Sequence, residues 1–236
     1  MDSKIAKQII TENITAYDQI GHHFSATRQY NWPSIKKVLD QYLHPACSVL
    51  DLGCGNGRLI SILPDHISYL GVDASHTLID EARIYATQHQ KPHQKISWQI
   101  ENLTNFDKTK QQFDYIIAIA SLHHIPSQHL RQVVCQNIFS FLKPQGIFIC
   151  TNWQLDQPKY QKYCNFQQIN HPQLDQNDCL IPWKNQQGDI IANRYYHSFT
   201  ITEIDQLLSI TRFKILENYT DKFNIITISQ KNNQSL

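Results

Sequence analysis

The chain has 236 residues, 41% hydrophobic and 17% charged, which suits one large folded domain and would crowd two. Its formal net charge of +1 creates no long-range field toward polyanions, which counts against a nucleic-acid role but leaves room for a local patch. A polar start without an apolar leader, and no run of about 18 apolar residues, predict a cytoplasmic protein with no membrane contact.

Residues 3–20 place Ile5, Ile9, Ile10, Ile14, Tyr17 and Ile20 at helical spacing, with Gly21 as the predicted stop. Pro33 opens a second helix that runs to about residue 42. Residues 47–52 read as a buried strand, 56–63 as a short helix and 69–72 as a second strand. A helix over 77–88 and a strand over 96–100 follow. The nearly continuous apolar run 113–120 fits a strand covered on both faces. Residues 129–142 are helical and 146–150 form the fifth strand. The rhythm then stops. Residues 153–194 mix Gln, Asn and Pro with Trp153, Tyr160, Tyr163, Phe166 and Trp183, which predicts a substrate lid rather than a disordered linker. Thr200-x-x-Glu203 is a capping box for a last helix. Residues 212–219 and 223–229 form a closing hairpin, and 231–236 a polar, frayed tail.

Strands alternating with helices predict βαβ units and a parallel sheet. The expected fold is α/β, a Rossmann-like seven-stranded mixed sheet with its last strand antiparallel and helices on both faces. Residues 1–236 form one domain: a helical cap (1–44), a cofactor-binding core (45–152), a lid (153–197), and a final helix with hairpin (198–236).

The chemistry starts at Val49-Leu50-Asp51-Leu52-Gly53-Cys54-Gly55-Asn56-Gly57, with Asp73 ending the next strand. A strand entering a glycine loop, with an acid at the following strand tip, is an adenosine-cofactor site. A dinucleotide motif needs a third glycine where Arg58 stands, and Asp51 would repel a pyrophosphate. An ammonium and a sulfonium suit Asp51 better, and these belong to S-adenosylmethionine. Asp73 would accept from both ribose hydroxyls, while Asn102 either meets the adenine edge or caps its own loop. The predicted cofactor set is Asp51, Gly53, Cys54, Gly55, Asn56, Gly57, Asp73, Ala74, Asn102, Leu103 and Ile119. The blander reading of the loop is a tight turn. The six cysteines contain no C-x-x-C pair, so neither a zinc site nor a redox motif is expected; Cys54 and Cys150 are predicted buried and reduced. No metal site is expected.

These motifs resemble class I S-adenosylmethionine-dependent methyltransferases, with Phe113-Asp114-Tyr115-Ile116-Ile117 as strand four and Leu142-Lys143-Pro144-Gln145-Gly146 as the turn into strand five. The flanks are more specific. Tyr17-Asp18-Gln19-Ile20, His23-Phe24-Ser25, Thr27-Arg28 and Trp32-Pro33 resemble the start of the tRNA wobble-uridine carboxymethyl methyltransferases. Ile119 to His124, Asp178 to Trp183 and Arg194-Tyr195-Tyr196-His197 are similar to that family's later segments. The resemblance implies methyl esterification of 5-carboxymethyluridine in tRNA, with a small zinc-binding activator protein as a partner of some members. Two departures are the near-neutral charge and Asn102, where the family commonly has an acid.

Methyl transfer from a sulfonium is an in-line displacement, in which alignment alone supplies ~7–11 kcal/mol. A carboxylate acceptor, with a pKa of about 4, is already ionised and needs no base. It needs a dry pocket and groups that orient it. Arg28, His124, Arg194, Tyr195, Tyr196 and His197 are the candidates. The alternatives are a surface ion pair for Arg28, a core or capping role for His123 or His124, and a packed strand edge for 194–197. Trp183 is a candidate base-stacking ring, and Lys36, Lys37 and the lid's basic residues are candidate phosphate contacts. The rival functions are methylation of a small carboxylic acid, phenol or amine, and a non-catalytic scaffold that keeps the fold.

Overall fold

A computed structural model describes residues 1–106, 111–168 and 171–232. Helices α1 (Ser3–Thr27) and α2 (Pro33–Tyr42) precede strand β1 (Cys47–Leu52), β2 (Ile67–Asp73), helix α3 (His76–His89), β3 (Lys95–Ile100) and β4 (Phe113–Ile119). Helix α4 (Gln128–Phe141), β5 (Leu142–Trp153), β6 (Asp178–Lys184), β7 (Ile190–His197), α5 (Ile201–Ile210), β8 (Phe213–Thr220) and β9 (Asn224–Lys231) complete the chain. Seven strands form one sheet in the order β3-β2-β1-β4-β5-β9-β8. β1 to β5 run parallel, and β9 runs antiparallel to both β5 and β8, as the α/β reading expects.

Strand side chains alternate between faces, and here both faces are covered. Leu50, Leu52, Ile116 and Phe148 pack on one side with α4 and α5. Val49, Tyr69, Ile117 and Ile149 pack on the other with α2 and the 3-10 turn at Arg58–Ile62. This explains why β4 reads as an unbroken apolar run.

Three predicted elements change. The expected helix at 56–63 shrinks to that 3-10 turn. Helix α1 does not stop at Gly21 but runs through it to Thr27. The glycine is there for close approach: a Cβ on Gly21 would lie 2.5 Å from Thr77 Cγ2 at the start of α3. Gly21→Ala gains about 1 kcal/mol of helix propensity but overpacks the contact by ~1–3 kcal/mol. A lower melting temperature is therefore expected, and a higher one would show that α1 and α3 can part freely.

The third change is the lid. Instead of a structureless segment, β6 and β7 form a separate antiparallel hairpin. It shows no clean alternation because both its faces are covered: Cys179, Ile181, Tyr196, Trp183 and Ala192 share one face, the last two against Ala16 and Ile20 of α1, while Leu180 and Tyr195 on the other face pack with Ile9 and Leu174. Cys164 and Cys179, neighbours in an antiparallel bridge, form a disulfide across a separation of 15 residues. A loop of that size removes ~3 kcal/mol of unfolded-chain freedom in the chain-entropy model. No sequence motif announces this pairing. Cys47, Cys54, Cys135 and Cys150 are free and buried. Among the described residues no helix is long and apolar enough to cross a membrane. Of the tail expected to fray, residues 233–236 lie outside the described residues.

Candidate active site

A cavity opens at the carboxyl edge of the parallel strands, where β1, β2 and β4 end. It encloses about 1300 Å³ between its walls, open mouth included.

One half is built by the glycine loop. Asp51, Gly53, Cys54, Gly55, Asn56, Asp73, Ala74, Asn102, Leu103 and Ile119 all line the cavity. Gly57 does not; it packs against Trp98 and Ala82 behind the loop. Gly55 has φ 55°, and a Cβ there would meet only Phe24, at 3.8 Å, so its bare backbone leaves space for a ligand to approach. Asp73 accepts the Gly55 N–H and the Ser75 N–H, each at 2.9 Å, so the acid also holds the loop's shape. Burial raises its pKa against the pull of those bonds. Asp51 is 2% exposed and accepts the Tyr69 hydroxyl at 2.6 Å. Burial pushes its pKa up to about 7, with the Tyr69 bond opposing and Asp73 adding to the rise. Asn102 accepts the Thr104 N–H at 3.0 Å, so it caps its loop and lines the cavity at once.

The other half comes from α1, the turn after β4, and β7. Arg28, His124, Arg194 and Tyr196 line the cavity. Tyr195 and His197 do not. On a strand, neighbours point to opposite faces, so Arg194 and Tyr196 face the cavity while Tyr195 and His197 face inward. There the Tyr195 hydroxyl donates to Asp178 at 2.7 Å, and His197 bridges Asp178 and Glu203 at 2.8 and 2.7 Å. Their expected contact with the acceptor is corrected: they brace β6 and β7 from behind. The sequence shows four polar-tipped residues in a row, but only pairing makes a strand of them.

His124 is held at both nitrogens. Nδ1–H donates to the Tyr195 carbonyl at 2.8 Å, so Nε2 is left to accept the Tyr17 hydroxyl at 2.9 Å. Burial pulls its pKa down to about 3 and keeps the ring neutral. The Tyr17 hydroxyl also meets that of Tyr196, at 3.3 Å. Tyr17 is a residue that helical spacing assigned to the core. Its place in a cavity wall shows only when α1 meets β7. His123, fully buried, accepts the Trp153 N–H at 3.2 Å on Nδ1, and its Nε2 has no partner. Trp153 stacks on Tyr196 at 5.2 Å.

Arg194 is 4% exposed and sits over the rings of Trp183, Tyr196 and Tyr17, at 4.7, 5.2 and 5.9 Å. Among the described residues no carboxylate lies within 4.0 Å of it, and its Nε has no hydrogen-bond partner. Burial works to lower its pKa, but the Tyr196 and Tyr17 oxygens outweigh that and the group stays charged. Arg28 stands beside it, over Phe24 and Trp183 at 5.6 and 5.7 Å. Trp183 is buried under these cations and donates its indole N–H to His23 at 2.9 Å, so it is not an open stacking surface. Lys36 is engaged with Asp40 at 2.6 Å.

Away from the cavity, Asp65, His66 and His93 bring three ligand-type atoms within 4.8 Å of one another at the opposite edge of the sheet. The Asp65–His93 ion pair (2.8 Å) and the His66–His93 ring stack account for this exposed group.

The sequence pattern of the methyltransferase-domain family matches residues 43–201. The chain belongs to that family. The methyltransferase is 27% identical over 235 residues to the tRNA (carboxymethyluridine(34)-5-O)-methyltransferase of Schizosaccharomyces pombe, covering 92% of this chain and 94% of that one. To the Arabidopsis thaliana protein of the same name it is 30% identical over 141 residues, which is 60% of this chain and 32% of the relative. It thus spans about a third of the plant protein's length. Among solved structures it is similar to a SAM-dependent methyltransferase of Methanosarcina mazei (TM-score 0.69, 20% identity, 86% of this chain and 99% of that one). A Burkholderia thailandensis N1-methyltransferase with bound S-adenosylhomocysteine gives 0.67 at 15% identity, over 99% and 92%.

The cofactor is S-adenosylmethionine, which supplies an electrophilic methyl group when bound. The residues fit it: Asp51 would hold the ammonium, Asp73 the ribose hydroxyls, and bare Gly55 leaves the approach open. One consequence is pH-dependent. Asp51 titrates near 7 in the fold and near about 3.9 unfolded. Between about pH 4 and 7 only the unfolded chain gives up this proton readily, so Asp51 costs stability as pH rises through that window. Cofactor affinity moves the other way. Calorimetry should show binding up to about tenfold tighter at pH 8 than at pH 6, with proton release on binding near pH 6. Equal affinities would place the Asp51 charge outside the binding step.

Proposed function

We propose that the methyltransferase esterifies a carboxylate: that of the carboxymethyl group on 5-carboxymethyluridine at the tRNA wobble position, in the cytoplasm. One observation carries the reading. A charged, nine-tenths-buried guanidinium lines the cavity with no carboxylate beside it among the described residues. Burying a cation unpaired is costly, and an anionic substrate that completes the pair makes sense of it. Arg28 adds a second cation at the same wall. A phenol acceptor would have to lose a proton to a base, but His124 is occupied at both nitrogens and burial holds His123 well below the usual imidazole range, which makes it a weak base. A carboxylate needs no base. The names of the S. pombe and A. thaliana relatives support the choice of nucleoside.

In this reading Arg194 and Arg28 orient the carboxylate, while Tyr17, Tyr196 and Trp153 wall off water. Nucleoside mass spectrometry of tRNA from a deletion strain tests it: carboxymethyluridine should accumulate and its methyl ester vanish. Unchanged tRNA would leave a small-molecule carboxylate as the acceptor. A small zinc-binding activator, implied by the family resemblance, belongs to the proposal. Turnover that is the same with and without such a partner would remove it.

A further inference from the structure

Two segments meet beside the cavity mouth. Trp153, the last residue of β5, pairs in register with Asn224, the first of β9. The turn before β9 therefore sits at the same carboxyl edge as the chain that leaves β5. The Gln154 N–H donates to the Phe223 carbonyl at 2.9 Å, tying the two together. On this rim Phe223 is 53% exposed. Lys222 Nζ and Lys159 Nζ lie 5.2 and 5.7 Å from its ring centre, and Lys159 also lies 4.7 Å from that of Tyr160.

Neither ammonium group has a carboxylate within 4.0 Å among the described residues. Of the nearby acids, Asp221 already accepts the Phe223 and Asn224 N–H groups and the Ser34 hydroxyl; Asp156 is exposed. The rim is continuous with the cavity. Tyr160 and Trp153 pack on the cluster that contains Tyr196, and Tyr160 lies close enough to act electrostatically on Arg194.

We propose that the Lys159–Phe223–Lys222 rim is a docking strip for the unpaired RNA strand on either side of the modified uridine. The lysines take phosphates and the Phe223 face takes a neighbouring base. This rests on the reading of the acceptor as a tRNA nucleoside. Two ammonium groups flanking one half-exposed ring match a single strand, whose backbone is anionic and whose bases each offer a π-face. A chain with a net charge of +1 has no global field to hold RNA, so a local strip must do it.

The test uses an anticodon stem-loop RNA carrying 5-carboxymethyluridine, with the free nucleoside as control. For K159A/K222A/F223A, RNA binding by fluorescence anisotropy should weaken at least about tenfold. The slope of log affinity against log salt should become shallower by about 1.4, or about 0.7 per lysine removed. Cofactor affinity and turnover of the free nucleoside should stay at wild-type levels, which reports an intact fold. K159R/K222R, which keeps the charges, should bind RNA as wild type does. A triple variant that binds and methylates the stem-loop normally overturns the strip while leaving the proposed function standing. A wild-type protein that leaves the stem-loop unmethylated, with any activator supplied, overturns the function and the strip with it.

Discussion

Arg194→Met should lower kcat/KM for a carboxymethylated acceptor by ~10³-fold or more and leave S-adenosylmethionine affinity within about twofold. The size follows from the setting. A hydrogen bond to a charged partner is worth about 1.5–3 kcal/mol, and stranding the other charge in a dry site adds to that. The guanidinium is 4% exposed, so water cannot replace it. Stability should move the other way. Without substrate the cation has no counter-charge among the described residues, so an apolar side chain of similar length removes a cost. Thermal melts should place R194M at or above wild type. A fall of several kcal/mol would mean that Arg194 holds the fold together, and the carboxylate reading would lose its foundation. Arg194→Lys should recover little, because a point charge on a flexible stem cannot reproduce a planar fork clamped among three rings.

Asp73→Ala should weaken cofactor binding by ~10²–10⁴-fold, read by calorimetry. Two ribose hydroxyls donating to a carboxylate contribute ~1.5–3 kcal/mol each. The same carboxylate fixes the N–H groups of Gly55 and Ser75, so its removal also loosens the loop that shapes the site. Asp73→Asn keeps one acceptor oxygen and should fall between. If Asp73→Ala binds the cofactor like wild type, the ribose sits elsewhere and the assignment of the glycine loop fails with it.

The glycine-loop half of the cavity was legible in the chain because it is local. Asp51, the glycine loop and Asp73 lie within 23 residues, on two strands whose burial makes them plainly apolar. The Thr200 cap was equally readable, since its hydroxyl bonds the Glu203 N–H three residues on. Gly21 misled because a glycine inside a helix and a glycine ending one look alike until the partner helix is in place.

The other half is another matter. Tyr17 meets His124 across 107 residues of chain and Tyr196 across 179. Periodicity records which side of an element is buried, not what it is buried against. Residues 178–197 are covered from both sides, so their pattern resembled a loop, and the strand alternation that separates Arg194 and Tyr196 from Tyr195 and His197 stayed hidden. The amino-acid order by itself determined a parallel α/β sheet and the glycine-rich loop at its carboxyl edge, because those depend on neighbours in the chain. Only tertiary packing decided which cations and hydroxyls line the rest of the cavity, because that wall exists where α1, the turn after β4 and the β6–β7 hairpin converge.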